Sequence, residues 1–117
     1  MRVYGVNSCA SVKKAKVFFD SHNIEYEFID ISKNKIDEQK LNYWQNFIDP
    51  ISMLNPRSKS YRDQKVKEMK LTDKKASKLM LEDSLIIKRP IIEHGLNGEE
   101  KFTIGFKEDT YIKEFLG

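Results

Sequence analysis

The sequence predicts an α/β domain: a strand–helix–strand opening, a helical middle and a strand–strand–helix ending. Three observations predict it. First, segments 2–6 and 25–31 carry the β-branched and aromatic residues of short strands, with an amphipathic stretch between them. Second, from residue 32 to residue 89 the apolar residues recur at helical rather than strand spacing. Third, two strand-like runs, 91–94 and 101–106, surround a glycine-bearing turn, and an amphipathic segment closes the chain.

Taken in order, Arg2 to Val6 reads as a short buried strand, and Asn7 and Ser8 punctuate a turn that carries Cys9. Ser11 suits the N-cap of the following helix, because its hydroxyl can satisfy a free first-turn amide. Val12, Ala15, Phe18 and Phe19 give that helix one apolar face, and Asn23 can take a left-handed position just past its end. His22 beside it reads as a cap-region residue. Glu25–Ile31 alternates polar and apolar as a second strand, with Ile24, Tyr26, Phe28 and Ile31 toward the core.

The middle begins with a helix opened by Asp37 and Glu38, whose stripe is Leu41, Trp44, Phe47 and Ile48. Pro50 and Pro56 bracket a turn-rich piece, since proline cannot continue a helix. Val66, Met69 and Leu71 predict a second helical segment. Thr72-Asp73 caps a third, with Ala76, Leu79, Met80 and Leu85 as its stripe. Ile91–His94 is then a strand, 95–98 a hairpin turn and Lys101–Phe106 the returning strand. The last helix, Asp109 to Leu116, places Tyr111, Ile112, Phe115 and Leu116 against the sheet.

A chain of 117 residues fits one domain with a modest core. We expect a single domain, 1–117, made of a core of about 1–31 and 84–117 and a helical insertion of about 32–83. Hydrophobic residues make up 39% and charged residues 33%, the balance of a soluble globular protein. No apolar run nears the roughly 18 residues of a membrane span, and the N-terminus lacks a signal-peptide core, so the expected location is cytoplasmic with no membrane partner. The one cysteine fits that compartment and excludes an intramolecular disulfide. With a single Cys, and His22 and His94 far apart, a structural metal site is not expected.

Cys9 sits where a strand hands over to a helix N-terminus, where free N–H groups and the positive end of the helix dipole favour an anion. Lys13 and Lys14 add positive charge in the first turn. Such a setting favours the thiolate, which is the nucleophile. A lone cysteine elsewhere is more often a buried structural side chain. Here Asn7, Ser8 and Ser11 argue for exposure. No second thiol in the chain can resolve an oxidised or adducted Cys9, so the resolving thiol has to come from outside.

The run Tyr4-Gly5-Val6-Asn7-Ser8-Cys9 followed by Val12-Lys13-Lys14-Ala15 resembles the start of the arsenate reductase (ArsC) family, including its Spx-like members. Asp83 to Ile92 continues the likeness, which spans nearly the whole chain. The resemblance implies a thioredoxin-like fold with a mixed sheet and an inserted helical segment, a catalytic Cys9, and reductive thiol chemistry with no bound cofactor. It also implies an anion site in which Arg57 and Arg89 flank the cysteine with Ser11 and Lys13, while Asn7 and Pro90 shape its surroundings. Pro90 is similar to the cis-proline of thioredoxin-like folds. Guanidinium matches tetrahedral oxyanions bidentately, and only four of the 21 basic residues are arginine.

The family's arsenate reductases carry a third arginine in the last strand–helix connection, where this chain offers Lys107. Lysine is a point charge and does not replace a bidentate contact. The pattern therefore resembles the small members of unassigned substrate. For these a thiol reductase dependent on glutathione or a glutaredoxin is expected, acting on a small oxyanion or a glutathionylated substrate. Spx-type regulators carry a C-x-x-C switch, but the second position here is Val12.

Residues 57–78 hold nine Lys or Arg against three acids. This basic run and the Arg57-Ser58-Lys59 segment motivate an alternative, an Spx-like regulator that binds the RNA polymerase α-subunit without catalysis. With Tyr61 as the run's one aromatic, base stacking is poorly supported and nucleic acid is not the expected partner.

Overall fold

The computed structural model describes residues 1–95 and 98–117 and divides the chain into two compact units. One unit joins Met1–Asp30 to Arg89–Gly117, and the other is Ile31–Lys88.

The first unit is built on a four-stranded sheet in the order β2-β1-β3-β4, with β1 at Arg2–Gly5, β2 at Glu27–Asp30, β3 at Ile91–His94 and β4 at Lys101–Ile104. β1 and β2 are parallel, while β1–β3 and β3–β4 are antiparallel, so the sheet is mixed. Helix α1, Ala10–Ser21, makes the crossover between the parallel strands and buries Val12, Ala15, Phe18 and Phe19 as its spacing predicts. It ends as the asparagine predicts: Asn23 takes φ 56°, its N–H donates to Asp20 O and that of Ile24 donates to Phe19 O. The core of this unit is Val3, Ala15, Phe18, Phe19, Ile92 and Tyr111, with Ile24, Tyr26 and Phe28 packed at its rim.

Several boundaries differ from expectation. β1, β2 and β4 each stop short of the predicted runs, at Gly5, Asp30 and Ile104. Ser11 is not the N-cap. The Lys13 N–H donates to the Cys9 carbonyl at 3.0 Å, which starts the helix two residues earlier and makes Cys9 the cap. The closing helix α5 spans Glu108–Tyr111 and continues as a wider turn over Ile112–Leu116. Tyr111 is fully buried, but Ile112 and Leu116 are exposed, contrary to the predicted stripe. The predicted hairpin turn over 95–98 includes Leu96 and Asn97, which lie outside the described residues.

In the second unit α2, Glu38–Gln45, is capped by Asp37, whose carboxylate accepts the Lys40 N–H at 2.8 Å. Leu41 and Trp44 are buried, but Phe47 lies past the helix end and is exposed. The second helical segment comes earlier than its apolar residues suggest. It is α3, Lys59–Asp63, capped by Ser58, and Met69 and Leu71 lie beyond it and the single turn Val66–Glu68. Helix α4, Asp73–Glu82, starts at the Thr72 cap and buries Ala76, Leu79 and Met80. Leu85 sits in a following tight turn, Ser84–Ile86, and is exposed. Among the described residues no helix is long and apolar enough to cross a membrane.

Candidate active site around Cys9

The end of the sheet where β1 leaves and β3 enters is where the first unit gathers its chemistry. β1 runs through Gly5 and Val6 into the turn, and the Cys9 N–H donates back to Val6 O at 3.2 Å. Cys9 itself is extended, with φ −77° and ψ 126°, and caps α1 without using its side chain. Its thiol is free and the residue is half-buried, so it is neither sealed in the core nor fully in solvent. The first helical turn leaves the N–H groups that follow Cys9 without intrahelical partners, which gives this spot a partial positive charge.

Two local devices hold the turn in place. Gly5 lies so close to Val12 that a Cβ at Gly5 would stand 2.6 Å from Val12 Cγ2, so the strand end and the first turn of α1 touch backbone to side chain. Asn7 Oδ1 accepts a short hydrogen bond from Lys16 Nζ, and that ammonium also sits 3.6 Å from the centre of the Phe28 ring. Asn7 is thereby tied to the body of α1.

β3 pairs Ile91 with Tyr4, so the preceding Arg89-Pro90 enters the sheet at the end from which β1 departs toward Cys9. The Arg89–Pro90 bond is cis. Pro90 is buried and its carbonyl accepts the Gly105 N–H at 2.8 Å. Arg89 is half-buried, with its Nε shut away from solvent. Gly105 adopts φ +77°, a conformation that favours glycine, and its carbonyl accepts the Tyr111 hydroxyl at 2.7 Å. Burial pushes the Tyr111 phenol up, so the hydroxyl stays protonated and donating.

Of the predicted site residues, Cys9, Ser11, Lys13, Asn7, Arg89 and Pro90 all belong to this unit. Ser11 is half-buried in the first turn of α1, and Lys13 is exposed one turn from Cys9. Arg57 belongs to the other unit, exposed in the loop before α3. There its N–H donates to Asn55 Oδ1 at 3.0 Å and its carbonyl accepts from Arg62 Nη1 at 2.9 Å. His22 lies at the far end of α1 with Nδ1 2.8 Å from Phe18 O, as a helix-end residue should. Among the described residues no three His, Cys, Asp or Glu side chains are grouped to hold a metal.

Gly5, Lys16, Gly105 and Tyr111 shape this end of the sheet; the sequence shows Gly5 before the turn and Tyr111 on the closing helix, but gives none of the four a part in the site. Tyr111 offered a signal, since a buried tyrosine in a closing helix needs a partner for its hydroxyl. Lys16 offered none, because its two partners lie on different elements.

The ArsC family model matches residues 4–114. An uncharacterized protein of Haemophilus influenzae is 33% identical over 115 residues, covering 97% of this chain and 96% of its own length. The global transcriptional regulator Spx 2 of Bacillus cereus is 30% identical over 116 residues, covering 97% of this chain and 85% of its own. Among solved structures, the YFFB protein superposes with a TM-score of 0.81 at 31% identity, with 96% of each chain covered. An arsenate reductase (ArsC) related protein from Brucella melitensis superposes with a TM-score of 0.73 at 28% identity, covering 97% of this chain and 92% of the other.

Proposed function

This chain belongs to the ArsC family and has a thioredoxin-like fold, and on that footing we propose that it is a thiol reductase working with a single cysteine and an external thiol. The observation that carries the reading is the half-buried Cys9 placed as the N-cap of the 12-residue α1. That position sets the residue at the positive end of the helix dipole, beside first-turn amides, a setting suited to a negatively charged group.

The Cys9 thiolate attacks the glutathione sulfur of a glutathionylated substrate, the substrate's S–S bond breaks, and the substrate leaves as a thiolate that takes a proton from water. Cys9 is left as a mixed disulfide. A second thiol, from glutathione or a glutaredoxin, attacks the glutathione sulfur of that disulfide and returns Cys9 to the thiolate. Two electrons thus pass from external thiols to the substrate. Ser11, Lys13 and Arg89 are the groups of this unit that we assign to negative charge near the sulfur, whether it belongs to the substrate or to an oxyanion. Asn7 and Pro90 frame the turn and the strand entry. Lys107, standing where the family's arsenate reductases have arginine, favours thiol–disulfide exchange over reduction of arsenate. A reducing cytoplasm supplies the external thiol.

Intact-protein mass spectrometry after incubation with oxidised glutathione, and separately with arsenate, tests this. One glutathione adduct on Cys9, absent in Cys9→Ser, is the expected result. A folded protein that takes no adduct overturns the proposal.

A second reading, a transcriptional regulator that contacts the RNA polymerase α-subunit, is favoured by the 30% identity to Spx 2. Val12 stands against a two-cysteine redox switch in that role. Capture of the α-subunit's C-terminal domain by a protein that forms no Cys9 adduct would select it.

A further inference from the structure

Cys9 ends a reverse turn that begins at Val6 and is closed by the Cys9 N–H on Val6 O at 3.2 Å. Asn7 and Ser8 are its central residues, and both are exposed, so burial does nothing to hold the corner. A surface turn closed by one hydrogen bond opens easily. Its restraint comes from further along the chain. Helix side chains lean toward the N-terminus, and Lys16, in the second turn of α1, reaches back so that its Nζ donates to Asn7 Oδ1.

A lysine on a helix surface is ordinarily loose, and ordering it costs rotamer freedom. Here a second contact offsets that cost. The ammonium sits 3.6 Å from the centroid of the Phe28 ring, well inside the roughly 6 Å of a cation–π contact. Phe28 is itself anchored, since it pairs with Val3 on β1 and packs at the rim of the core. Lys13 and Lys14 on the same helix are exposed, whereas Lys16 is half-buried. One side chain therefore joins the turn, α1 and β2. A hydrogen bond from a charged donor is stronger than a neutral one, and this one grips the turn two residues ahead of Cys9.

We propose that Lys16 is a positioning residue for Cys9: it pins the Asn7 corner against β2 and so keeps the cysteine in its capping conformation at the start of α1. The inference rests on the thiol-reductase reading and adds to it a residue that acts through the turn rather than on the substrate. Without the clamp the turn opens more often, Cys9 leaves the cap, and its attack on a disulfide slows.

Two measurements on the whole protein test this: the exchange rate of the Cys9 amide by NMR, and the rate at which Cys9 reacts with a neutral pyridyl disulfide. In that reaction the Cys9 thiolate takes one half of the reagent as a mixed disulfide, and the other half leaves as thiopyridone, which is read by absorbance. A neutral reagent is not steered by the charge that the variants remove. Lys16→Met keeps a long stem and a good helix former but cannot donate. The Cys9 amide should then exchange about two- to tenfold faster, the factor that an ordinary hydrogen bond supplies, and the reaction should slow by up to the same factor. Lys16→Arg, which still donates and still stacks on the ring, should restore both. In an Asn7→Ala background Lys16→Met should change neither. Amides over 17–21, later in α1, should keep the parent's rates, which separates a loosened turn from a loosened fold. Parent values in either measurement for Lys16→Met, a defect that Lys16→Arg does not repair, the same defect in the Asn7→Ala background, or equal loosening over 17–21 would overturn the inference. Should the parent itself not react with the disulfide, the reductase reading falls, and the exchange comparison still decides the clamp.

Discussion

Gly5→Ala probes how the Cys9 turn is held. The added methyl would stand 2.6 Å from Val12 Cγ2 and 3.4 Å from Cγ1. Unstrained carbon contacts begin near 3.5–4.0 Å, so about 1 Å has to be found. Val12 cannot swing aside. It is fully buried, and a β-branched side chain in a helix has essentially one χ1 rotamer. The first turn of α1 must therefore shift, and Cys9 with it. Overpacking of this kind costs about 1–3 kcal/mol, offset by about 0.4–1 kcal/mol from the stiffer unfolded chain. A net loss of about 1–2 kcal/mol lowers the melting temperature by roughly 3–10 °C for a domain of this size. Urea unfolding followed by circular dichroism measures the loss, and the rate of Cys9 alkylation by iodoacetamide reports the displaced turn. In a Val12→Ala background the obstructing γ-carbons are gone, so Gly5→Ala should cost nothing there, a coupling of about 1–2 kcal/mol. Gly5→Ala as stable as the parent, or equally costly in both backgrounds, would refute the reasoning.

Three further outcomes are expected. Ser84 is buried and its Oγ accepts the Ile36 N–H at 3.0 Å, so Ser84→Ala strands a buried donor and should cost about 1–3 kcal/mol in urea unfolding; a neutral result would show that the amide finds another partner. Tyr111→Phe keeps the ring in the core but removes the bond to Gly105 O, and should cost about 1–2 kcal/mol and speed hydrogen exchange over 105–107, whereas unchanged exchange there would contradict the role given to the hydroxyl. Burial holds His94 below its ordinary value, helped by Lys101 and the N-terminal ammonium and opposed by Glu114. The unfolded chain then binds the proton more readily, so stability is full above about pH 6.5 and falls as the pH drops through it, by at most about 1.4 kcal/mol per unit; His94→Gln should flatten that slope, and an unchanged slope would exclude His94 as its source.

What could be read from the sequence was what depends on near neighbours. The stripe Val12–Ala15–Phe18–Phe19, the Thr72 cap, the left-handed Asn23 and the strand 91–94 all follow from residues a few positions apart. Cys9, Arg89 and Pro90 could be placed at strand boundaries for the same reason. Ser11 misled because cap preference is a side-chain rule, while the helix start was set by a backbone bond from Lys13 to Cys9. Phe47, Ile112 and Leu116 misled because helical spacing carries no signal of where the helix ends or widens. At five residues α3 is too short to show a period, and only Ser58 marks it. The Gly5–Val12 contact was legible only as a glycine before a turn, and the Tyr111–Gly105 bond joins two elements whose docking no local pattern encodes.

These particulars separate two jobs at the Cys9 end of the sheet. The frame is held by buried or main-chain partners: Gly5 against Val12, Pro90 O with Gly105 N–H, and Gly105 O with Tyr111. None of them can change without disturbing the core. The charged side chains near it, Lys13, Lys14, Lys107 and Glu108, are exposed and make little demand on packing. A fold arranged this way can keep the sulfur in one place while its surroundings are rewritten for a different ligand, because substitutions at the second set leave the first untouched. Ligand preference here should therefore respond to single charge changes on α1 and the β4–α5 connection at almost no cost in stability. Changes at the frame should instead alter Cys9 reactivity and stability together.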